Sequence, residues 1–175
     1  KCREHGALII ADEVTTGVGR TGQFLASEAF DPRPDIITLG KALTNGEFPL
    51  SATLVTADVW RQLDAASDNA LEKYLFGSCY AGHPTGCLAA IEVLGRLDDA
   101  TLAEIRTKGE RIGVLLSAFA EKHRVVRDVR GIGLMWGIEF PSFEVCDHVS
   151  RELITRGIRC GVEGSPEGLR PVPGR

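Results

Sequence analysis

Three observations predict an α/β fold for this 175-residue chain. The expected architecture is part of a mostly parallel sheet with helices, followed by part of a small α+β domain. First, Ala7-Leu8-Ile9-Ile10-Ala11 and Asp35-Ile36-Ile37-Thr38-Leu39-Gly40 are short, nearly continuous apolar runs, the pattern of strands covered on both faces. Second, two long stretches carry apolar residues at helical spacing. Third, a strand–strand–helix pattern around Gly131-Ile132-Gly133 has the look of a separate small unit. The change in pattern puts a domain boundary near residue 110, dividing the chain into 1–110 and 111–175.

The elements follow in order. Residues 7–14 read as a parallel strand, and 15–34 as a Gly/Pro-rich loop with a short helical piece between Gln23 and Phe30. Asp31-Pro32-Arg33-Pro34 forces an extended path into the strand at 35–40, because a residue before proline avoids the helical region. Residues 52–56 are a third strand, and Asp58 is placed to cap a short helix ending at Ala66. A polar connection over 67–75 and a small-residue loop over 76–82 follow. Pro84 suits the first turn of a helix reaching Leu97, apolar almost all round and so expected to be buried. Asp99 to Lys122 keeps a stripe of Leu102, Ile105, Ile112, Leu115 and Phe119. Strands at 125–130 and 134–140, a helix at 143–156 and a strand near 158–162 complete the expectation.

Bulk properties narrow the function classes. A net charge of −4 does not favour nucleic acid or an anionic membrane as partner. No run reaches the roughly 18 apolar residues of a membrane helix. Five cysteines, odd in number and without CxxC pairing, read as reduced thiols of a cytoplasmic protein. A strand beginning within a few residues of Lys1, and a Pro/Gly-rich end at Arg175, read as a fragment lacking an amino-terminal part.

The chemistry is concentrated at two strand ends. One strand delivers Asp12-Glu13 and the other Lys41, and active sites of open α/β sheets gather at the carboxyl ends of strands. An amine there can form a Schiff base with a carbonyl cofactor, and a carboxylate can hold a protonated pyridine nitrogen, which together are the minimum for pyridoxal phosphate chemistry. The bland readings are an ordinary exposed lysine and a solvated acidic pair. Metal binding is disfavoured because no histidine cluster accompanies the acids. Gly17-Val18-Gly19-Arg20-Thr21-Gly22 is a formal GxGxxG, but Asp12-Glu13-Val14-Thr15-Thr16 separate it from the apolar run and no long helix starts at Gly22. The acid expected after the next strand is missing as well, so the loop is read as flexible backbone that approaches a ligand closely.

Ordered blocks then carry a resemblance. Ile10-Ala11-Asp12-Glu13-Val14-Thr15-Thr16-Gly17-Val18-Gly19-Arg20-Thr21-Gly22 and Pro34-Asp35-Ile36-Ile37-Thr38-Leu39-Gly40-Lys41-Ala42-Leu43 resemble the signature of the class III (subgroup II) aminotransferases. Gly77-Ser78-Cys79-Tyr80-Ala81-Gly82-His83-Pro84 resembles the loop before that family's long helix. Arg130 to Glu139 resembles its small-domain strand motif.

The resemblance implies a fold-type I enzyme using pyridoxal 5'-phosphate. It would transfer an amino group between an amine or ω-amino acid and a keto acid, as a homodimer. In those terms 1–110 is the later part of the cofactor-binding large domain with its linking helices, and 111–175 the start of the small domain. Lys41 is implied as the Schiff-base lysine and Asp12 as the partner of the pyridine nitrogen. Val14 matches the apolar residue on the ring face. Thr15 stands where many relatives carry glutamine near the ring hydroxyl. Glu13 is read as orienting the loop, its role open. Cys79 stands where the family usually has a threonine that reaches the cofactor phosphate of the neighbouring subunit. A thiol is a poor donor there, and Ser78 beside it offers the hydroxyl instead. Arg170 resembles the arginine that clamps a substrate carboxylate, an ordinary tail arginine being the alternative. The family's main phosphate loop and ring cover have no counterpart in the sequence, so the chain alone is expected to be inactive. Mutase, racemase or decarboxylase chemistry on the same lysine, or a non-catalytic remnant that binds a partner chain, are the alternatives.

Overall fold

The computed structural model describes residues 1–31, 33–66, 68 and 80–163. Nearly all of the expected connection at 67–75, the loop residues 76–79 with Ser78 and Cys79, and Arg170 lie outside them. Strand β1 (Ile10–Asp12) pairs in parallel with β2 (Ile36–Leu39), and β2 pairs antiparallel with β3 (Ala52–Val55), in the order β1-β2-β3. Three helices follow: α1 (Ala57–Ala66), α2 (Pro84–Arg96) and α3 (Asp99–Lys122). A two-stranded sheet of β4 (Asp128–Ile132) and β5 (Met135–Glu139) precedes helix α4 (Phe143–Thr155). The chain divides into two compact units, one of Lys1–Gly109 with Ile132–Met135, the other of Glu110–Gly131 with Trp136 onward.

In the first unit the register is set where the strands begin. Asp35 takes the Ile9 N–H on its carboxylate at 2.8 Å and returns its own N–H to the Ile9 carbonyl at 2.8 Å. Ile10 then faces Ile36 and Asp12 faces Thr38. The core consists of Val18, Leu39, Leu43 and Ala90, with Leu25, Ile37, Leu50 and Val93 packed around it. Gly86 lets α2 come down on Phe48, since a Cβ there would lie 2.8 Å from the Phe48 ring.

Several expectations are corrected. β1 is shorter than 7–14, and Ile10 is 63% exposed because β2 alone among the described strands pairs with it. Helix α2 is not buried all round: Gly86 and Ala90 are covered, but Leu88 and Ile91 stay 67% and 65% exposed. Only one face meets the core, so apolar composition does not by itself mean burial. The cap of α1 is Thr56, whose hydroxyl accepts from the Val59 N–H at 3.4 Å, whereas Asp58 already lies inside the first turn and pairs with Arg61. On α3 the expected stripe is shifted, since Leu115 and Phe119 are exposed while Gly109 and Gly113 are covered.

The second unit is built on small contacts. Gly113 of α3 leaves room for Trp136, whose ring would lie 2.5 Å from a Cβ at that position. Ser142 caps α4 by accepting from the Val145 N–H at 3.4 Å. No strand forms near 158–162 among the described residues. The left-handed Gly157 (φ 76°) turns the chain, and the Ile158 N–H is used to close α4 on the Leu153 carbonyl at 2.9 Å.

Candidate active site

The parallel register fixes the site. Asp12 lies opposite Thr38, and Lys41 follows three residues later. The Asp12 Oδ1 accepts from the Thr38 hydroxyl and from the Val14 N–H, each at 3.1 Å. The side chain is thereby oriented through one oxygen, with Oδ2 outside both bonds. Lys41 opens a short 3₁₀ turn, Lys41–Thr44, that is anchored from within. Leu43 belongs to the core, and the buried Thr44 hydroxyl donates to the Phe48 carbonyl at 2.6 Å. The Lys41 backbone is left-handed at φ 43°. A side chain in that region costs on the order of 1 kcal/mol, so the surrounding contacts hold it there. The Lys41 Nζ donates to the Thr15 hydroxyl at 2.6 Å. Val14 packs toward the same place, 3.4 Å from where a Cβ of Gly40 would stand.

Between Asp12 and Thr15 sits a carboxylate whose role could not be read from sequence. Glu13 is 2% exposed. Its Oε2 accepts from the Thr16 hydroxyl at 2.5 Å and the Ala26 N–H at 3.1 Å, and its Oε1 from the Ser27 N–H at 2.6 Å. Burial pushes its pKa up, but the hydrogen bonds from Thr16, Ser27 and Ala26 together outweigh burial and hold it below the ordinary value of 4.5. The only sequence signal for this would have been its place beside Asp12, where the two acids look alike.

The glycines of the GxGxxG loop are covered by protein, not opened toward a ligand. A Cβ on Gly17 would stand 2.8 Å from the Glu13 carbonyl oxygen, and one on Gly19 2.7 Å from the Leu97 side chain. Gly22 packs on the Arg106 side chain, which donates to the Gly22 carbonyl at 2.5 Å. The loop is thus a packed spacer, and Val18 within it is buried at φ 55°, an outlier for a β-branched residue. The Thr21 hydroxyl is buried without a hydrogen-bond partner among the described residues. No group of three or more metal-ligating side chains occurs among the described residues. Thus the fold brings Lys41, Asp12, Val14 and Thr15 to one end of the β1–β2 pair.

The family model described as Aminotransferase class-III matches residues 1–173. The chain belongs to the class III aminotransferases. Among curated relatives of this aminotransferase chain, 4-aminobutyrate aminotransferase GabT of Escherichia coli is 40% identical over 148 residues, covering 84% of this chain and 32% of that protein. 5-Aminovalerate aminotransferase DavT of Pseudomonas aeruginosa is 41% identical over 139 residues, covering 79% and 30%. The chain therefore spans about a third of the length of these curated relatives. Among solved structures, an amine transaminase from an uncultivated Pseudomonas species in its PLP-bound form superposes with a TM-score of 0.83 at 30% identity, over 92% of this chain and 39% of that one. Ornithine aminotransferase of Plasmodium yoelii gives a TM-score of 0.76 at 32% identity, over 91% and 41%. The fold is that of part of a fold-type I aminotransferase.

Proposed function

We propose that this chain carries the lysine and the ring-nitrogen partner of a pyridoxal-phosphate-dependent aminotransferase, acting on an amine or ω-amino acid as donor and a keto acid as acceptor. One observation carries the reading: in a class III aminotransferase chain, the Lys41 amine is held at 2.6 Å by Thr15 at the end of the strand pair that presents Asp12. The donor set fits the cofactor. An amine suits its aldehyde, a carboxylate oxygen outside the framework bonds suits a pyridinium N–H, and Val14 offers an apolar surface beside Gly40. Bound pyridoxal phosphate supplies an aldehyde for the amino group and a ring that takes up electrons released at the substrate carbon. Lys41 holds the group and then takes and returns the proton at the substrate carbon. Asp12 keeps the pyridine nitrogen protonated. Thr15 orients the amine.

Ser78 and Cys79 are proposed at the phosphate, and Arg170 at the substrate carboxylate, where a guanidinium fork matches two oxygens. Residues 1–110 are assigned to the large domain and 111–175 to the start of the small one. A homodimer in the cytoplasm completes the proposal. The described cysteines Cys2, Cys87, Cys146 and Cys160 are all unpaired, which supports a reducing compartment. No described helix is long and apolar enough to cross a membrane.

Borohydride trapping of bound cofactor, followed by peptide mapping, tests the assignment. Label is expected on Lys41 and lost in Lys41→Ala; label on any other lysine overturns it.

A further inference from the structure

The geometry points to Glu13 as a positioning residue that sets the reactive lysine through Thr15. The inference rests on the reading of Lys41 as the reactive amine. Glu13 is the residue after Asp12 and two before Thr15. Its backbone belongs to the sheet edge, with its N–H on the Thr38 carbonyl at 2.9 Å. Its own carbonyl accepts the Gly17 N–H at 2.9 Å, closing the turn that contains Thr15 and Thr16. Its side chain holds the two ends of the loop together, Thr16 on one side and Ala26–Ser27 on the other.

The consequence falls on Thr15. This residue is exposed, and among the described residues its side chain is bonded to Lys41, from which it accepts. A hydroxyl on an exposed turn holds an amine in place only if the turn itself is held. The hydroxyl of the next residue, Thr16, donates to the buried carboxylate at 2.5 Å, and that bond adds to the Gly17 N–H on the Glu13 carbonyl in holding the turn. Lys41 enters this contact from a backbone fixed in the left-handed region at φ 43° by the turn that follows it. Asp12 binds within the same segment through the Val14 N–H. One buried anion therefore fixes the spacing between the ring-nitrogen partner and the amine.

Glutamine cannot replace it. Oε1 receives the Ser27 N–H and Oε2 the Ala26 N–H, so an amide in either orientation sets its NH₂ against a backbone donor. Thr16→Val removes one bond only, and Thr16→Ser keeps it.

The test reads the Lys41 amine directly in the intact protein, without cofactor. Lysines are labelled with acetic anhydride across a pH series and quantified by peptide mass spectrometry, with the exposed Lys108 as internal control. Glu13→Gln, Thr16→Val and Thr15→Ala are each expected to change the Lys41 labelling rate roughly three- to tenfold, about the worth of one hydrogen bond. Lys108 should label at its wild-type rate in every variant. Thr16→Ser is expected to restore the wild-type profile. In a Thr15→Ala background, Glu13→Gln and Thr16→Val should add nothing further. Effects that multiply in the double variants, or a Lys41 profile unchanged in Thr16→Val and Glu13→Gln, overturn the inference. If Glu13→Gln does not fold, the Thr16 and Thr15 pair alone decides. Because no cofactor enters the measurement, failure to trap pyridoxal phosphate on Lys41 would refute the proposed function and leave this coupling intact.

Discussion

The two units use polar side chains in different proportion, although surface ion pairs such as Arg61–Asp58 occur in the first as well and Ser150 is buried in the second. In the first, Glu13, Thr44 and Thr21 are buried, and the first two are spent on backbone groups. In the second, charged side chains pair with one another on the surface: Arg130 with Asp128 and Glu139, Arg151 with Asp147, Arg156 with Glu152. A buried acceptor that loses its donor is left unsatisfied, whereas an exposed ion is rehydrated by water. Geometry that chemistry depends on is therefore found where polar groups are buried against backbone. In this chain that is the end of the β1–β2 pair, where the proposed site residues Lys41 and Asp12 stand. Substitutions around that end are expected to change function or stability strongly, and those on the second unit's surface pairs are not.

The largest effect belongs to Asp12. Asp12→Asn keeps the shape and the capacity to accept from Thr38 and Val14, but removes the charge proposed to face the pyridinium. Loss of a charge-assisted hydrogen bond in a closed site is worth about 3 kcal/mol, or roughly a hundredfold in turnover. Steady-state kinetics of the intact enzyme measure it, with the melting temperature expected to stay near wild type because Asp12 is exposed. Near-normal turnover would remove Asp12 from the site.

Gly17→Ala tests the frame and not the chemistry. Its new methyl would meet the Glu13 carbonyl oxygen at 2.8 Å and Leu39 at 2.9 Å, and the backbone oxygen cannot swing away as a side chain could. Overpacking of this kind costs about 1–3 kcal/mol, read by urea denaturation. An unchanged midpoint would mean that the loop is looser than its contacts imply.

Acid stability sharpens the comparison further. The Glu13 pKa lies below the ordinary 4.5 in the folded chain, so the folded state binds its proton less readily than the unfolded state. Its contribution is complete above the ordinary value and is lost as the pH falls through the lower, folded value. Wild type should therefore lose more stability between pH 7 and pH 3 than Glu13→Gln, which lacks the titrating group. Thermal melts over that range decide it, and parallel curves for the two proteins would show that Glu13 is not the buried acid described.

These contrasts also show how far the sequence was legible. The second strand was readable, because an apolar run stopped by Gly40-Lys41 leaves few other conformations, whereas the first ends at Asp12, short of the expected 14; the spacing of whole blocks carried the family. Helices α2 and α3 were readable from period and proline placement, with observed bounds Pro84–Arg96 and Asp99–Lys122. What failed was burial. Leu88 and Ile91 of α2 look like core residues in one dimension, but which side of an apolar helix is covered depends on neighbours that the local pattern does not contain. Glu13 failed in the other direction. Two adjacent acids are indistinguishable until the pleat sends one to the strand-end surface and the other inward, toward donors 13 and 14 residues further on. The loop glycines were assigned to a ligand when their absent side chains serve Leu39, Leu97 and Arg106.

The smallest effect is expected at Arg130. Its guanidinium is held charged by hydrogen bonds to Glu139 and Asp128, on either strand of the β4–β5 sheet, and the pKa is raised accordingly. A raised pKa on a cation means a contribution present at every pH below its ordinary value, which already lies above any working range, so salt and not pH must expose it. All three side chains are open to water, where Coulomb attraction is weak and ordering long side chains opposes it. Arg130→Ala should therefore move the melting temperature less than Gly17→Ala does, and the difference from wild type should shrink further in 1 M salt, where the screening length is about 3 Å. A loss as large as that of Gly17→Ala, persisting at high salt, would mean that the arginine stem packs on the sheet and that the second unit too keeps its geometry through polar side chains.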